Sequence, residues 1–209
     1  MPPLRLMVFD RTCLGQDRRA PLSLAWQGGG LLYGALGRLD ARRGVSTWAE
    51  ALDWLAFTHP GRPIAEIQFW GHGEWGCAFV GAERLGVEAL DAAHPLEARL
   101  RRVRERMVPG GEALWWFRTC ETFGGHHGHA FATAWSRYFG ARVAGHTYVI
   151  GAWQSGLHVV RPGETPSWPL DEGFDPRSAK DRPSALVSSR KAPNTVHCLQ
   201  GALPGKPPR

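Results

Sequence analysis

The feature that most limits how this chain can fold is a short run, Ala113-Leu-Trp-Trp-Phe117, without a single polar residue. Pro109-Gly110-Gly111 precedes it and Arg118-Thr119-Cys120 follows it. A run this short and this apolar reads as a central β-strand covered on both faces. Such a strand demands a layer on each side of its sheet, and the rest of the chain supplies candidates. Leu4–Phe9, Ile64–Trp70 and Val143–Ile150 read as further strands. Thr47 and Glu50 have capping-box spacing, and Val45, Trp48, Leu52 and Leu55 recur at helical intervals until His59-Pro60-Gly61-Arg62-Pro63 stops them. Leu96, Leu100, Val103 and Met107 form an amphipathic stripe with arginines on the other face. Phe131, Trp135 and Phe139 mark another helix, with Gly140 as its C-cap.

Strands alternating with helices predict an α/β domain with a mostly parallel sheet, spanning residues 1–160. Two segments fit the alternation less well. Leu22–Leu39 is apolar but interrupted by Gly28-Gly29-Gly30, which predicts broken helical pieces or a long excursion. Cys77–Val80 reads as a short strand or hairpin arm. From Arg161 onward, prolines at 162, 166, 169, 176, 183 and 193 punctuate a polar stretch. Residues 161–209 therefore read as a Pro-rich extension. Ala185–Ser188 and Thr195–Gln200 are short edge strands or part of a lid, and the last residues are expected to be disordered.

Composition narrows the functional classes. With 209 residues, 43% of them hydrophobic, the chain can bury a core without disulfides or structural metals. There is no apolar run of about 18 residues, so no transmembrane helix is expected, and the N-terminus lacks the pattern of a signal peptide. Four cysteines at no tight spacing do not make a disulfide framework, which points to a reducing cytosol. The net charge of +6 permits nucleic-acid binding without arguing for it. The Arg99–Arg106 helix face lacks the interleaved aromatics that single-strand binders use for stacking, so nucleic acid is not an expected partner.

In an open parallel sheet, ligands bind beyond the carboxyl ends of the strands. Two of the strands above end in reactive side chains: Ile64–Trp70 in Gly71-His72-Gly73, and Ala113–Phe117 near Cys120. If the two strands are parallel neighbours, His72 and Cys120 project from one edge. A cysteine nucleophile needs a base within reach, because the thiolate is the attacking species. The backbone amides of Gly73 and Cys120 are candidates for an oxyanion hole.

These residues resemble a known family. Ile64-Ala-Glu-Ile-Gln-Phe-Trp-Gly-His-Gly73 is similar to the strand ending in His-Gly of the caspase-like cysteine peptidases. Leu114-Trp-Trp-Phe-Arg-Thr-Cys-Glu-Thr122 resembles their second motif, and its Cys-Glu-Thr comes closest to bacterial CHAT-like members. The separation of the two, 120 − 72 = 48 residues, compares with roughly 50 in caspases. The run from Phe131 to Thr147 resembles the helix and strand that follow. The resemblance implies a sheet of about six strands between helices, with His72 as general acid/base and Cys120 as nucleophile. It further implies endopeptidase cleavage of a protein substrate through an acyl-enzyme, with no metal and no cofactor. Thr119 stands where caspases have a small residue, and the tail after Arg161 carries no specificity motif of the family.

Around this pair, Glu121, Glu74 and His126 are candidate substrate-binding residues, the two carboxylates as selectors of a basic side chain. Other readings stay open. One is a catalytically silent module that binds a protein partner through the same cleft. A second is a His/Cys metal site drawn from His126, His127 and His129 with Cys120 or His146, although no standard ligand spacing occurs. Cys13, Cys77 and Cys198 read as structural. Gly71-His-Gly-Glu-Trp-Gly76 matches a dinucleotide fingerprint by letter only, since His72 and Trp75 crowd the turn and no helix follows directly. An activating or regulatory protein remains a possible partner.

Overall fold

The computed structural model describes residues 1–14, 21–178 and 183–197. In chain order the elements are β1 (Leu4–Asp10), α1 (Leu22–Ala35), β2 (Ala41–Val45), α2 (Trp48–Phe57) and β3 (Ile64–Trp70). A small meander follows, β4 (His72–Glu74), β5 (Cys77–Val80) and β6 (Glu83–Leu85), then a 3-10 turn at Val87–Leu90. The second half contains α3 (Glu97–Arg106), β7 (Leu114–Arg118), α4 (Gly125–Phe139) and β8 (Arg142–His146). It closes with β9 (Trp153–Gln154), β10 (Leu157–Val160) and β11 (Val196–His197).

The protein is α/β. Six strands form the central sheet in the order β10-β8-β7-β3-β1-β2, all neighbours parallel except the antiparallel edge pair β8–β10. Four helices flank it. This is the architecture that the caspase-like resemblance implies. The pleat sends alternate side chains to opposite faces. Leu4, Leu6 and Val8 of β1 join Phe69, Trp115 and Phe117 in one large core against Trp48 and Leu52 of α2, Leu100 and Val103 of α3, and Phe131 and Trp135 of α4. Met7 and Phe9, with Trp70, face the other way onto Tyr33 and Trp26 of α1. Farther along that second face, Leu114, Trp116, Ala144 and Leu157 gather with Val196 of the C-terminal segment. Three helices therefore cover one face, and α1 with part of the tail covers the other.

The cap of α2 forms as its spacing predicts. The Thr47 hydroxyl accepts from the Glu50 amide at 3.0 Å, while the Glu50 carboxylate takes the Ser46 amide at 2.9 Å, one residue earlier than the usual reciprocal bond. Gly140 ends α4 in the left-handed region, φ 57°. Two expectations are corrected, and two further elements come from the structure alone. Leu22–Ala35 is one continuous helix, because Gly29 and Gly30 are sites of close approach rather than breaks. A Cβ at Gly29 would lie 2.7 Å from the Trp70 ring, and one at Gly30 would lie 2.8 Å from the Met7 sulfur. Residues 41–45, too polar to read as a strand, are the exposed edge strand β2. The strand expected at Val143–Ile150 stops at His146, because the chain leaves the sheet to form the loop beside Cys120. Gly125–His129 forms the first turn of α4, so this helix starts well before the Phe131 stripe.

The tail is tied to the domain. The Trp168 indole donates to the Phe123 carbonyl at 3.0 Å, and Phe174 stacks on Trp75 at 4.5 Å. Phe174 also bridges Ala185, and Val187 bridges Val149. The expectations for Cys198 and for the end of the chain lie outside the described residues.

Candidate active site

The sheet order places a topological switch point between β1 and β3. From β1 the chain moves outward through α1 to β2, and from β3 it moves the opposite way to β7. Helices on opposite faces part there, and the crevice beyond the strand ends is where open α/β sheets bind ligands. Three chain segments meet at this crevice: Asp10–Cys13 after β1, His72–Glu74 after β3, and Thr119–Thr122 after β7.

The register fixes the relation of the last two. β3 and β7 are adjacent and parallel, with Trp70 opposite Arg118. His72 and Cys120 each follow two residues later, so both leave the sheet at one level on neighbouring strands. Gly73 lies directly against the cysteine turn. A Cβ there would come within 2.7 Å of the Cys120 carbonyl oxygen and 2.8 Å of the Thr119 Cβ, so only glycine allows the two backbones to approach this closely. The turn itself is braced by hydroxyls. Thr119 and Thr122 share a 2.5 Å bond, and the Thr122 hydroxyl also lies 3.1 Å from the Cys120 carbonyl and 3.3 Å from the Cys77 carbonyl. Glu121, next to Cys120, has a left-handed backbone, φ 41°. A non-glycine residue held there stores strain, a feature that clusters at functional turns.

The Cys120 thiol is half-buried and points at the Ile150 carbonyl, 3.9 Å away. Burial pushes this thiol above its usual range and the Glu121 carboxylate adds to that, while the Ile150 carbonyl contact pulls the other way. His72 is exposed. Its Nε2 lies 3.5 Å from the Cys13 sulfur, and the edge of its ring meets Trp26 of α1 at 5.5 Å. The Glu121 carboxyl is pushed up to about 6, mainly by burial and then by Glu74. Glu74 is exposed, and its charge reaches the Glu121 carboxyl beside the cysteine. His126 sits exposed on the first turn of α4, and no described contact brings it to His72, Cys120 or Glu121. Cys77 is buried in β5, where desolvation raises its thiol and its carbonyl serves the Thr122 hydroxyl.

Two of the histidines weighed as metal ligands, His146 and His129, are engaged elsewhere, and His126 and His127 are exposed on the first turn of α4. His146 is fully buried. Its Nδ1 donates to the Ser155 carbonyl at 3.2 Å and its Nε2 accepts from the Trp116 indole at 3.4 Å, a consistent neutral tautomer. Burial pulls its pKa down to about 3. The His129 ring packs edge-on against Trp168. Among the described residues, no three His, Cys, Asp or Glu side chains converge to hold a metal ion.

Sequence reasoning missed two residues that touch the site and one that underlies it. Cys13, read as structural, is the polar partner of His72. The visible signal was its position just past the first strand, at the switch point. Trp26 belongs to the helix expected to be broken. Beneath the crevice lies Arg118, buried in a box of Trp70 at 4.2 Å, Trp116 at 4.4 Å and Tyr33 at 5.1 Å. Its guanidinium donates to Gln68 at 3.3 Å and Gln154 at 3.0 Å, so it knits β3, β7 and β9 together below the cysteine turn. Three residues beyond Ile150, Trp153 opens a cavity of about 560 Å3, lined also by Arg190, Thr195 and His197. Among the described residues, no helix is long and apolar enough to cross a membrane. Compared with known proteins, the chain matches no family model, no curated protein and no solved structure.

Proposed function

We propose that the chain is a caspase-like cysteine endopeptidase, with Cys120 as nucleophile and His72 as general acid/base. The observation that carries this reading is the β3–β7 register, which sends both residues off the same edge at the same level. Cys13 occupies Nε2 of His72, which leaves Nδ1 as the nitrogen available to Cys120. In the reaction His72 takes the thiol proton, and the thiolate attacks the carbonyl carbon of the scissile peptide. The backbone amides of Gly73 and Cys120 are the candidates to receive the oxyanion. His72 then passes the proton to the leaving amine. Water, deprotonated by His72, hydrolyses the thioester and restores the thiol. The Glu74–Glu121 pair favours a basic side chain in the substrate by charge pairing. The resting thiol is protonated, so activity requires a shift of the His72 ring toward Cys120 when substrate or a regulatory protein binds. The thiols of Cys13, Cys77 and Cys120 are free, in keeping with a cytoplasmic location.

Two observations favour a second reading. The raised thiol and the engagement of His72 by Cys13 also suit a silent module that binds a protein partner in this crevice. Incubation with unfolded casein, followed by mass spectrometry of the fragments, separates the two. A peptidase yields fragments that disappear in both Cys120→Ala and His72→Ala. Fragments that persist in Cys120→Ala would refute the assignment, and no cleavage by any form would favour the binding module.

A further inference from the structure

The C-terminal segment builds a second concave site, outside the crevice of Cys120 and His72. Trp153 and His197 are register partners in the β9–β11 pair, so their side chains share one face of it. Their rings meet edge-on, with 5.4 Å between centroids. With Thr195 and Arg190 they line the cavity of about 560 Å3. A volume of this size lies within the ~300–1,000 Å3 of small-molecule sites.

The loop that carries Arg190 is held by its backbone and hydroxyls, not by its charge. It is braced on Ser155, which is fully buried. The Ser155 amide donates to the Ser188 hydroxyl at 3.1 Å, and the Ser189 amide donates to the Ser155 hydroxyl at 3.2 Å. The Thr195 hydroxyl lies 3.1 Å from the Ser155 hydroxyl and 3.0 Å from the Ser189 carbonyl, and it also contacts the Ala192 carbonyl. Thr195 therefore spends its hydroxyl on the loop and offers the cavity a wall. Arg190 is exposed and makes no ion pair among the described residues. Its guanidinium approaches the Trp153 ring only loosely, 5.7 Å from the centroid. Arg118 is the contrast, closed to 4.2 Å and 4.4 Å on two indoles and bonded to two glutamines. One arginine is consumed by the fold, whereas the other stands on a braced loop beside a cavity.

These walls specify a ligand. No carboxylate lines the cavity among the described residues, and its one permanently charged side chain is cationic, so an anion is favoured. A guanidinium offers a fork of donors that matches carboxylate or phosphate oxygens. An indole offers a flat surface on which an aromatic ring stacks. We propose that the cavity between Trp153 and Arg190 binds a planar aromatic anion, either a nucleoside monophosphate or an aromatic carboxylate. Its ring lies against Trp153 and its anionic group against Arg190. The ligand sits three residues along the chain from Ile150, whose carbonyl faces the Cys120 thiol. The proposal does not rest on the peptidase reading, because none of the four lining residues takes part in that chemistry.

Calorimetric titration of the full chain tests this with AMP, indoleacetate, adenosine, indole and inorganic phosphate. AMP is expected to bind at least about tenfold more tightly than adenosine or phosphate, or indoleacetate at least about tenfold more tightly than indole. Which of the two binds separates phosphate from carboxylate as the anion. Arg190→Ala alters an exposed side chain on a loop that its backbone holds, so it leaves the fold intact. It is expected to weaken binding of the anion at least about tenfold, and Arg190→Lys to recover only part of that loss. Trp153→Ala is expected to weaken binding by a similar factor of about ten. Cys120→Ala is expected to bind as the parent does, so failure of the peptidase reading would leave this result unchanged. No binding of either aromatic anion at millimolar concentration would overturn the proposal. So would equal affinity for each anion and its uncharged counterpart, or an affinity unchanged in Arg190→Ala.

Discussion

At the residue scale, Glu121 shows how the cysteine turn is held against its own preference. Its backbone lies in the left-handed region, and burial with the neighbouring Glu74 raises its carboxyl to about 6. A carboxyl raised in the fold above its ordinary value near 4.5 stabilises the protein below that value. The contribution is lost as pH rises through 6, because the native state holds its proton longer. Glu121 is partly exposed and solvent screens its charge, so Glu121→Gln is expected to gain about 1 kcal/mol over the parent above pH 7 and to match it below pH 4. Urea unfolding at the two pH values measures this; an equal gain at both would show that strain or packing, not the charge, sets the effect. The placement of His72, Gly73 and Cys120 just past the ends of β3 and β7 was legible in sequence, because two apolar runs break off there into unusual residues. Cys13 was not, since a lone cysteine in a polar loop carries no periodicity, and only the folded sheet brings it to His72.

At the element scale, the strands β3 and β7 and the helices α2, α3 and α4 follow from their apolar periods, while α1 and β2 do not. The three glycines of α1 look alike in sequence but are in different surroundings. Gly28 faces open space, whereas Gly29 and Gly30 are pressed onto Trp70, Met7 and the Arg42 stem. Gly28→Ala is expected to raise stability by about 1 kcal/mol through helix propensity. Gly30→Ala is expected to lower it by about 1–3 kcal/mol through overpacking against the Met7 sulfur. Thermal unfolding of the two variants checks this; stabilisation by both would mean that α1 does not pack on β1 as described. β2 escaped notice because Ala-Arg-Arg-Gly-Val lacks the alternation of a half-buried strand, and it pairs only as an exposed edge.

At the scale of the whole molecule, His146 links the sheet to the tail. It sits on β8 with Nδ1 to Ser155 and Nε2 to Trp116, and Ser155 is bonded in turn to Ser188, Ser189 and Thr195. Its folded pKa of about 3 lies below the ordinary histidine value of 6.5, so this site's stability is present above pH 6.5. It is lost as pH falls, at about 1.4 kcal/mol per unit, because the unfolded chain takes up the proton first. His146→Gln does not titrate there, so the stability difference between parent and variant is expected to narrow by about 2–3 kcal/mol from pH 7 to pH 4.5. Parallel curves would refute a neutral buried imidazole. This network could not be read in advance, because it joins β8 to residues more than thirty positions away in a proline-rich stretch without periodicity.

The pairing of His72 with Cys120 is tested most directly by the pH dependence of Cys120 alkylation. The rate of iodoacetamide labelling at this cysteine is followed by mass spectrometry from pH 5 to 10 in the parent and in His72→Ala. A resting thiol with a raised pKa reacts about tenfold more slowly for each unit below that pKa. A minor population in which His72 has taken the thiol proton adds reactive thiolate at low pH. The parent is expected to show a shoulder near neutral pH above the steep thiol line, and His72→Ala to follow the steep line alone. Superimposed profiles across the whole range would contradict the pairing and remove the basis for a Cys120 nucleophile.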